Sequence, residues 1–314
     1  MADYKAIKGH NIETVAGDPS VLQVGDIWYS NTTRKIRGAK LGAGAWSSGT
    51  AMGTARYFNA AAGTQTSGLV AAGYSNQTAA VTLNSEEWNG SAWAEGNNIN
   101  TSGVYLYNSF GTQTAAVVAG RSEPAPTVCE EYNGTSWTEV TGTDTGRYQS
   151  GGSGTLTAGL VWGGAPALQL VETYDGTNWT EVNDLNTGRQ NVSGCGTQTA
   201  TLCIAGYPAK ALVEEYNGTS WTEIADLNVN TYGTGSFGDT ANAVICGNSP
   251  ASTKTEQWNG TSWTEVNDMS TPRAQSNSHG GTYAAGMVVG GGPPSITTVE
   301  EWDISAAASS FTSS

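Results

Sequence analysis

The sequence predicts an all-β protein, a β-propeller of six four-stranded repeats. Three observations carry this: a motif recurs six times, apolar hairpin-like runs precede each copy, and the two ends of the chain hold complementary fragments of one repeat. The motif is plainest in EEYNGTSWTEV, residues 130–140. Relatives begin at Glu86, Glu172, Glu214 and Glu256, with a truncated EEWDI at Glu300. The steps between these first glutamates are 44, 42, 42, 42 and 44 residues. Segments such as SFGTQTAAVVAG (109–120) and GCGTQTATLCIAG (194–206) precede the motif, each a pair of apolar runs split by turn residues.

Each repeat therefore supplies four strands. The first follows a frequent Arg, the second is a Val/Ala run ending in Gly, the third ends in Glu-x-Tyr/Trp, and the fourth carries Trp. The Asn-Gly or Asp-Gly pair between third and fourth strands is expected to supply the positive φ angles of a tight hairpin. The last repeat stops at Trp302 without a following Trp, while Trp46 precedes Arg56 by ten residues, the gap of Trp137–Arg147, Trp179–Arg189 and Trp263–Arg273. An N-terminal strand around Trp46 is thus expected to complete the last blade, which removes the free sheet edges. The division expected is an arm over residues 1–40, a propeller over 41–303 and a tail over 304–314.

The small-residue end of the second strand, then Tyr or Trp, then Trp five residues later, resembles the Kelch motif over residues 41–303. The usual double glycine is replaced in Ala72-Gly73, Ala119-Gly120, Ala205-Gly206 and Cys246-Gly247, where the demand for small residues is still met. The resemblance implies a six-bladed Kelch-like propeller.

Repeated columns invite functional readings that the repeat itself explains. Six carboxylates in one column (Glu86, Glu130, Glu172, Glu214, Glu256, Glu300) would each need the same partner, so a structural bond to an Arg or backbone N–H is expected, with Arg56, Arg147, Arg189 and Arg273 as partners. Asp184, Asp226 and Asp268 read as turn acceptors, and the Asn-x-Ser/Thr sequons at Asn133, Asn217 and Asn259 as hairpin turns. Cys129, Cys195, Cys203 and Cys246 lack CxxC spacing and read as small buried hydrophobes, with a Cys195–Cys203 bridge the lesser alternative. No cofactor and no metal site is expected.

The chain has 314 residues and a net charge of −14. Residues 1–40 hold six of the 13 basic residues against four acids, which leaves the remainder at −16. Such a body repels nucleic acid, which needs a cationic footprint. No window is apolar enough to span a membrane, and the start, MADYKAIKGH, lacks the apolar run of a signal peptide, so neither insertion nor secretion is expected.

Catalysis is not expected either. A copper radical oxidase of the galactose oxidase type shares this fold but needs two His ligands, and the chain offers His279 in the propeller and His10 in the arm. Sialidase-like Asp-box turns, a phosphate loop and a Ser elbow are missing from the sequence.

A binding rim is easier to place, because loops before the first strand and after the second share one face in propellers. The residues after the Arg column are Tyr57, Phe58, Asn59, Tyr105, Tyr107, Asn108, Tyr148, Gln149, Gln190, Asn191, Tyr232, Gln275 and Asn277. Aromatic faces interleaved with amides suit sugars, the rings stacking on C–H faces and the amides bridging hydroxyls. Blade packing and strand-end capping is the bland alternative.

In the arm, VLQVGDIWYSNTTRKIRG (21–38) reads as a hairpin. Its GDIWY segment resembles those of bacteriophage tail-fibre and tail-associated proteins. With the NGTSWTE repeats, the layout is similar to virion structural proteins of marine phages such as cyanophages. The resemblance implies a virion component, tail or capsid fibre, folded in the host cytoplasm before assembly. Its propeller would meet a host-surface glycan or protein. Its arm, through Asp26, Ile27, Trp28 and Tyr29, would join other virion proteins or a second copy. The alternatives are a cellular Kelch-type interaction scaffold and, more remotely, a carbohydrate-active enzyme.

Overall fold

The computed structural model describes residues 12–23, 25–103, 105, 108–122 and 126–310. Every regular element among them is a β-strand. The chain divides into two compact units, residues up to Ala45 with those from Asp303 onward, and Trp46–Trp302.

The larger unit is a propeller-like array of six four-stranded sheets. Their first strands are Ala60–Thr64, Ser109–Thr112, Gly151–Thr155, Ser193–Gly196, Gly235–Gly238 and Asn277–Thr282. These lie side by side in that order, and the sixth lies beside the first. Within a sheet the strands follow chain order outward. The exception is the sixth, whose strands Asn277–Thr282, Ala285–Val289 and Val299–Asp303 are completed by Ala45–Gly49.

Burial explains the residue choice in each strand. Second strands such as Ala115–Ala119 and Thr201–Ile204 are covered on both faces, hence their unbroken apolar runs. Outer strands such as Trp137–Val140 bury the Trp and expose the Thr and Glu after it. That Trp reaches the preceding sheet: Trp137 Nε1 donates to Ser85 Oγ at 2.9 Å, and Trp46 Nε1 makes the matching bond to Thr255 Oγ1 at 3.0 Å. Trp46 also packs 5.3 Å from Trp302, ring centre to ring centre.

The turn between third and fourth strands differs from the sequence expectation. Gly134 alone takes a positive φ, 86°. Asn133 contributes its side chain instead, Oδ1 accepting the N–H groups of Thr135 and Ser136 at 2.9 Å each. The same Asx turn recurs at Asp175, Asn217 and Asn259. The loop is therefore four residues long, closed by Asn133 N–H on Ser136 O, so one left-handed residue suffices.

In the smaller unit, strands Glu13–Val15, Ile27–Ser30, Lys35–Leu41 and Ala306–Ser310 form one sheet in that order. The arm and the tail, which the sequence pattern keeps apart, share this sheet. Trp28 is 2% exposed while Ile27 is 40% exposed, because alternate residues of a strand face opposite sides. Asp26 Oδ2 accepts the Gln23 N–H at 2.7 Å, and Tyr29 is half-buried. Lys5, Lys8 and His10 lie outside the described residues.

Candidate functional site

Two layers of the propeller-like unit hold polar chemistry, and they differ in character. The first is the glutamate column. Glu172 accepts the N–H groups of Asp144 (2.8 Å) and Thr145 (3.3 Å) and pairs with the Arg147 guanidinium. Glu86 does the same with Gly53, Thr54 and Arg56, Glu214 with Asn186, Thr187 and Arg189, and Glu300 with Ser270, Thr271 and Arg273. Each carboxylate thus fastens the loop that enters its own sheet. All six are buried. Burial pulls the Arg56, Arg121, Arg147 and Arg273 guanidinium groups down from their ordinary pKa, and the facing carboxylates oppose that. These are closed, buried structural clusters.

Two sheets depart from the pattern. In the second, Gly103 stands where the Arg column would put Arg, and Glu130 pairs instead with Arg121 at 3.2 Å. A Cβ on Gly103 would fall 2.7–2.9 Å from Arg121 side-chain carbons, so the glycine makes the space that the guanidinium stem fills. In the fifth, Thr231 occupies the column, and Glu256 is held by Asn228 N and Nδ2 at 2.9 and 2.6 Å. Sequence reading missed Arg121, although an Arg just after the second strand of the one sheet whose column is Gly is a readable signal.

The second layer is the rim. Residues two beyond the Arg column turn left-handed: Phe58, Gln149, Asn191 and Gln275 have φ of 56°, 56°, 53° and 51°, Gly233 64°, and Tyr105 joins them at 65°. Backbone hydrogen bonds link them around the unit. Phe58 N–H donates to Gln275 O (3.1 Å), Gln275 to Gly233 (2.8 Å), Gly233 to Asn191 (3.2 Å), Asn191 to Gln149 (2.7 Å) and Gln149 to Tyr105 (3.2 Å). Phe58 and Tyr105 meet by their rings, 4.2 Å apart. Six residues from six sheets therefore encircle one end of the stack of first strands.

Aromatic side chains continue outward from this ring. Tyr57 lies 4.6 Å from Phe58 and 5.6 Å from Tyr74, and Tyr105 lies 5.6 Å from Tyr148. Across the ring Tyr207 and Tyr232 pack edge to face at 5.3 Å. Backbone bonds join the two loop sets, as between Tyr57 and Tyr74 and from Tyr207 N–H to Gln190 O. The expected aromatics Tyr57, Phe58, Tyr105, Tyr148 and Tyr232 are thus brought to one rim and are half-buried, as is Gln190. Asn59 and Asn108 are fully buried beneath it, and Gln149, Asn191 and Gln275 are nearly so. Tyr107 and the Asn277 side chain lie outside the described residues. Tyr74 and Tyr207 escape the sequence expectation because it rests on the loop before the first strand, although both follow the Gly that ends a second strand.

Burial and the neighbouring Tyr74 and Tyr105 raise the Tyr57 pKa, so its phenol stays neutral well into alkaline solution. A cavity of about 150 Å³ runs along the first strands, lined mainly by Gly and Ser with Ala, Thr, Phe110, Val192, Cys195 and Phe237. Its serines bond neighbouring sheets, Ser193 Oγ to Thr234 O at 2.6 Å and Ser236 Oγ to Gly194 O at 3.0 Å. The four cysteines are free and buried. Cys195 pairs across its hairpin with Leu202 and Cys203 with Gly194, so the two thiols do not face each other. Burial pushes the thiols up, Cys129 and Cys246 to about 12 and Cys203 to about 11. Among the described residues no three His, Cys, Asp or Glu converge as a metal site would require.

No protein-family model matches the chain, and no curated protein matches it in sequence. A solved structure of YjhT superposes with a TM-score of 0.66 at 11% identity, over 83% of this chain and 99% of that one. At that identity the likeness shows the fold alone, a β-propeller.

Proposed function

We propose that this chain is a bacteriophage virion protein that binds the host surface through its rim and catalyses nothing. The six sheets are six Kelch-like blades, and the strand around Trp46 closes the last. The observation that carries the reading is the contiguous, half-buried aromatic row Tyr74, Tyr57, Phe58, Tyr105 and Tyr148, whose Phe58 and Tyr105 share one ring with the buried amides of Gln149, Asn191 and Gln275. Large aromatic faces left partly open, beside neutral hydrogen-bonding groups, make a binding surface. The buried carboxylates are committed to loop N–H groups and, in all but the fifth blade, to guanidinium groups, and the thiols of Cys129, Cys203 and Cys246 stay protonated at neutral pH, which leaves the described residues little with which to catalyse. The virion assignment is supported by the GDIWY segment and the repeat style of the sequence. On this reading the arm, with its exposed Ile27, attaches the chain to the particle.

Mass spectrometry of purified particles tests the first half of the proposal and should find this chain at structural stoichiometry. The free protein should also compete with particles for host cells. A chain missing from particles but retained on a soluble cellular partner would favour a Kelch-type scaffold instead.

A further inference from the structure

Five of the six rim-ring positions carry a side chain where the backbone favours glycine. A non-glycine residue at φ near +55° is strained and persists only where the surroundings hold it there. The sixth position, Gly233, shows that the ring tolerates glycine. Strained backbone of this kind clusters at binding and active sites.

Their chemistry is divided. Phe58 and Tyr105 pack on one side of the ring, their ring centres 4.2 Å apart and their planes tilted by 56°. Gln149, Asn191 and Gln275 supply amides on the other, where Gln275 lies over Gly233, its amide 2.7–2.8 Å from where a Cβ would sit. Asn191 is 6% exposed, and its Oδ1 has no hydrogen-bond partner among the described residues. An amide oxygen held buried without a donor is expensive unless a ligand or water supplies one. No ionised group belongs to the ring, and the outer strands carry exposed carboxylates at Glu139, Glu181, Glu223 and Glu265 on a chain of net charge −14. Such a perimeter repels polyanions.

We infer that the left-handed ring is the recognition element for a neutral polyhydroxylated ligand, a hexose unit of an uncharged glycan. A sugar C–H face stacks on Phe58 and Tyr105, and its hydroxyls meet the amides of Gln149, Asn191 and Gln275. The inference rests on the rim reading of the proposed function and adds the ligand class and the residues that select it.

The test uses Phe58→Gly and Gln149→Gly, which remove side chains at positions whose backbone suits glycine. Affinity electrophoresis of the full chain through gels containing a glucan, a mannan or a galactan should retard the wild type. Polygalacturonate should not. Both variants should lose the retardation, a rise in Kd of tenfold or more, while melting at or above the wild-type temperature. A wild type that none of the neutral polymers retards, or that the anionic polymer retards more, overturns the assignment. So does a variant that binds undiminished. A variant that melts lower also overturns it, because the side chain is then a packing group. Virion membership is read separately: a chain found in particles that binds no neutral polymer fails this inference alone, and a glycan-binding chain missing from particles fails only the virion reading.

Discussion

The third and fifth sheets solve one problem by different means. Glu172 is buried with a guanidinium and two backbone N–H groups, whereas Glu256, among the described residues, is buried with the N–H and side-chain amide of Asn228. The second sheet is a further variant, whose guanidinium reaches Glu130 from the end of the second strand rather than from the column. The carboxylate is thus the constant element and the arginine a variable one. What each blade requires is an acceptor for the N–H groups of its entering loop. A buried arginine, once present, needs that acceptor far more than the acceptor needs the arginine, because an unpaired buried charge is the costlier orphan.

Matched substitutions in the third and fifth sheets should differ most. Glu172→Ala strands the fully buried Arg147 and should lower stability by about 3–5 kcal/mol in urea unfolding. Glu256→Ala leaves only amide donors unmet and should lower it by about 1–3 kcal/mol. Equal losses in the two sheets would show that the arginine adds no demand of its own.

A middle-sized effect concerns the second sheet. Gly103→Ala places a methyl against the Arg121 stem and should cost about 1–3 kcal/mol, as overpacking does. In an Arg121→Ala background the same change should be nearly silent, so the double-mutant cycle should return a coupling of about 1 kcal/mol or more. Additive losses would mean that the glycine serves the backbone rather than the guanidinium.

The smallest effect is a pH dependence shared by the buried thiols. Their pKa values are raised in the folded chain, so the folded state holds its protons longer than the unfolded one. That contribution is fully present below the ordinary thiol range, near about 8.5, and is lost as pH rises from there toward about 11 for Cys203 and about 12 for Cys129 and Cys246. Iodoacetamide at about pH 9, just above the ordinary thiol range, should modify the native chain far more slowly than the chain in urea. Cys203, which accepts a 3.1 Å bond from Arg189 Nη2, should be the first of these three to ionise. Equal rates in native and unfolded chain would place the thiols in water.

The repeat was legible because each blade meets the same constraints at the same places. Trp46 could be assigned to the last sheet from its ten-residue gap to Arg56, and the partners of Glu86, Glu172, Glu214 and Glu300 from one Arg column. Where a blade departs, the column misleads. Arg121 lies 18 residues beyond Gly103, and only the meeting of two strand ends places its side chain over that glycine. The rim residues were legible as types but not as a ring. A single chain read in order shows Phe58, Gln149 and Gln275 as members of separate loops. Their hydrogen-bonded circle depends on neighbours contributed by different blades.

By itself, then, the sequence determined what short-range rules govern: strand alternation, the Gly of each Asx turn, the buried carboxylate and the number of repeats. Tertiary structure decided what requires segments distant in the chain to meet. It paired Ala306–Ser310 with Lys35–Leu41, covered Trp28 while leaving Ile27 exposed, and turned five side-chain-bearing residues left-handed around one mouth. The reason is physical. Local propensity acts over a turn or a strand, whereas burial and inter-blade hydrogen bonds exist only once the blades stand side by side.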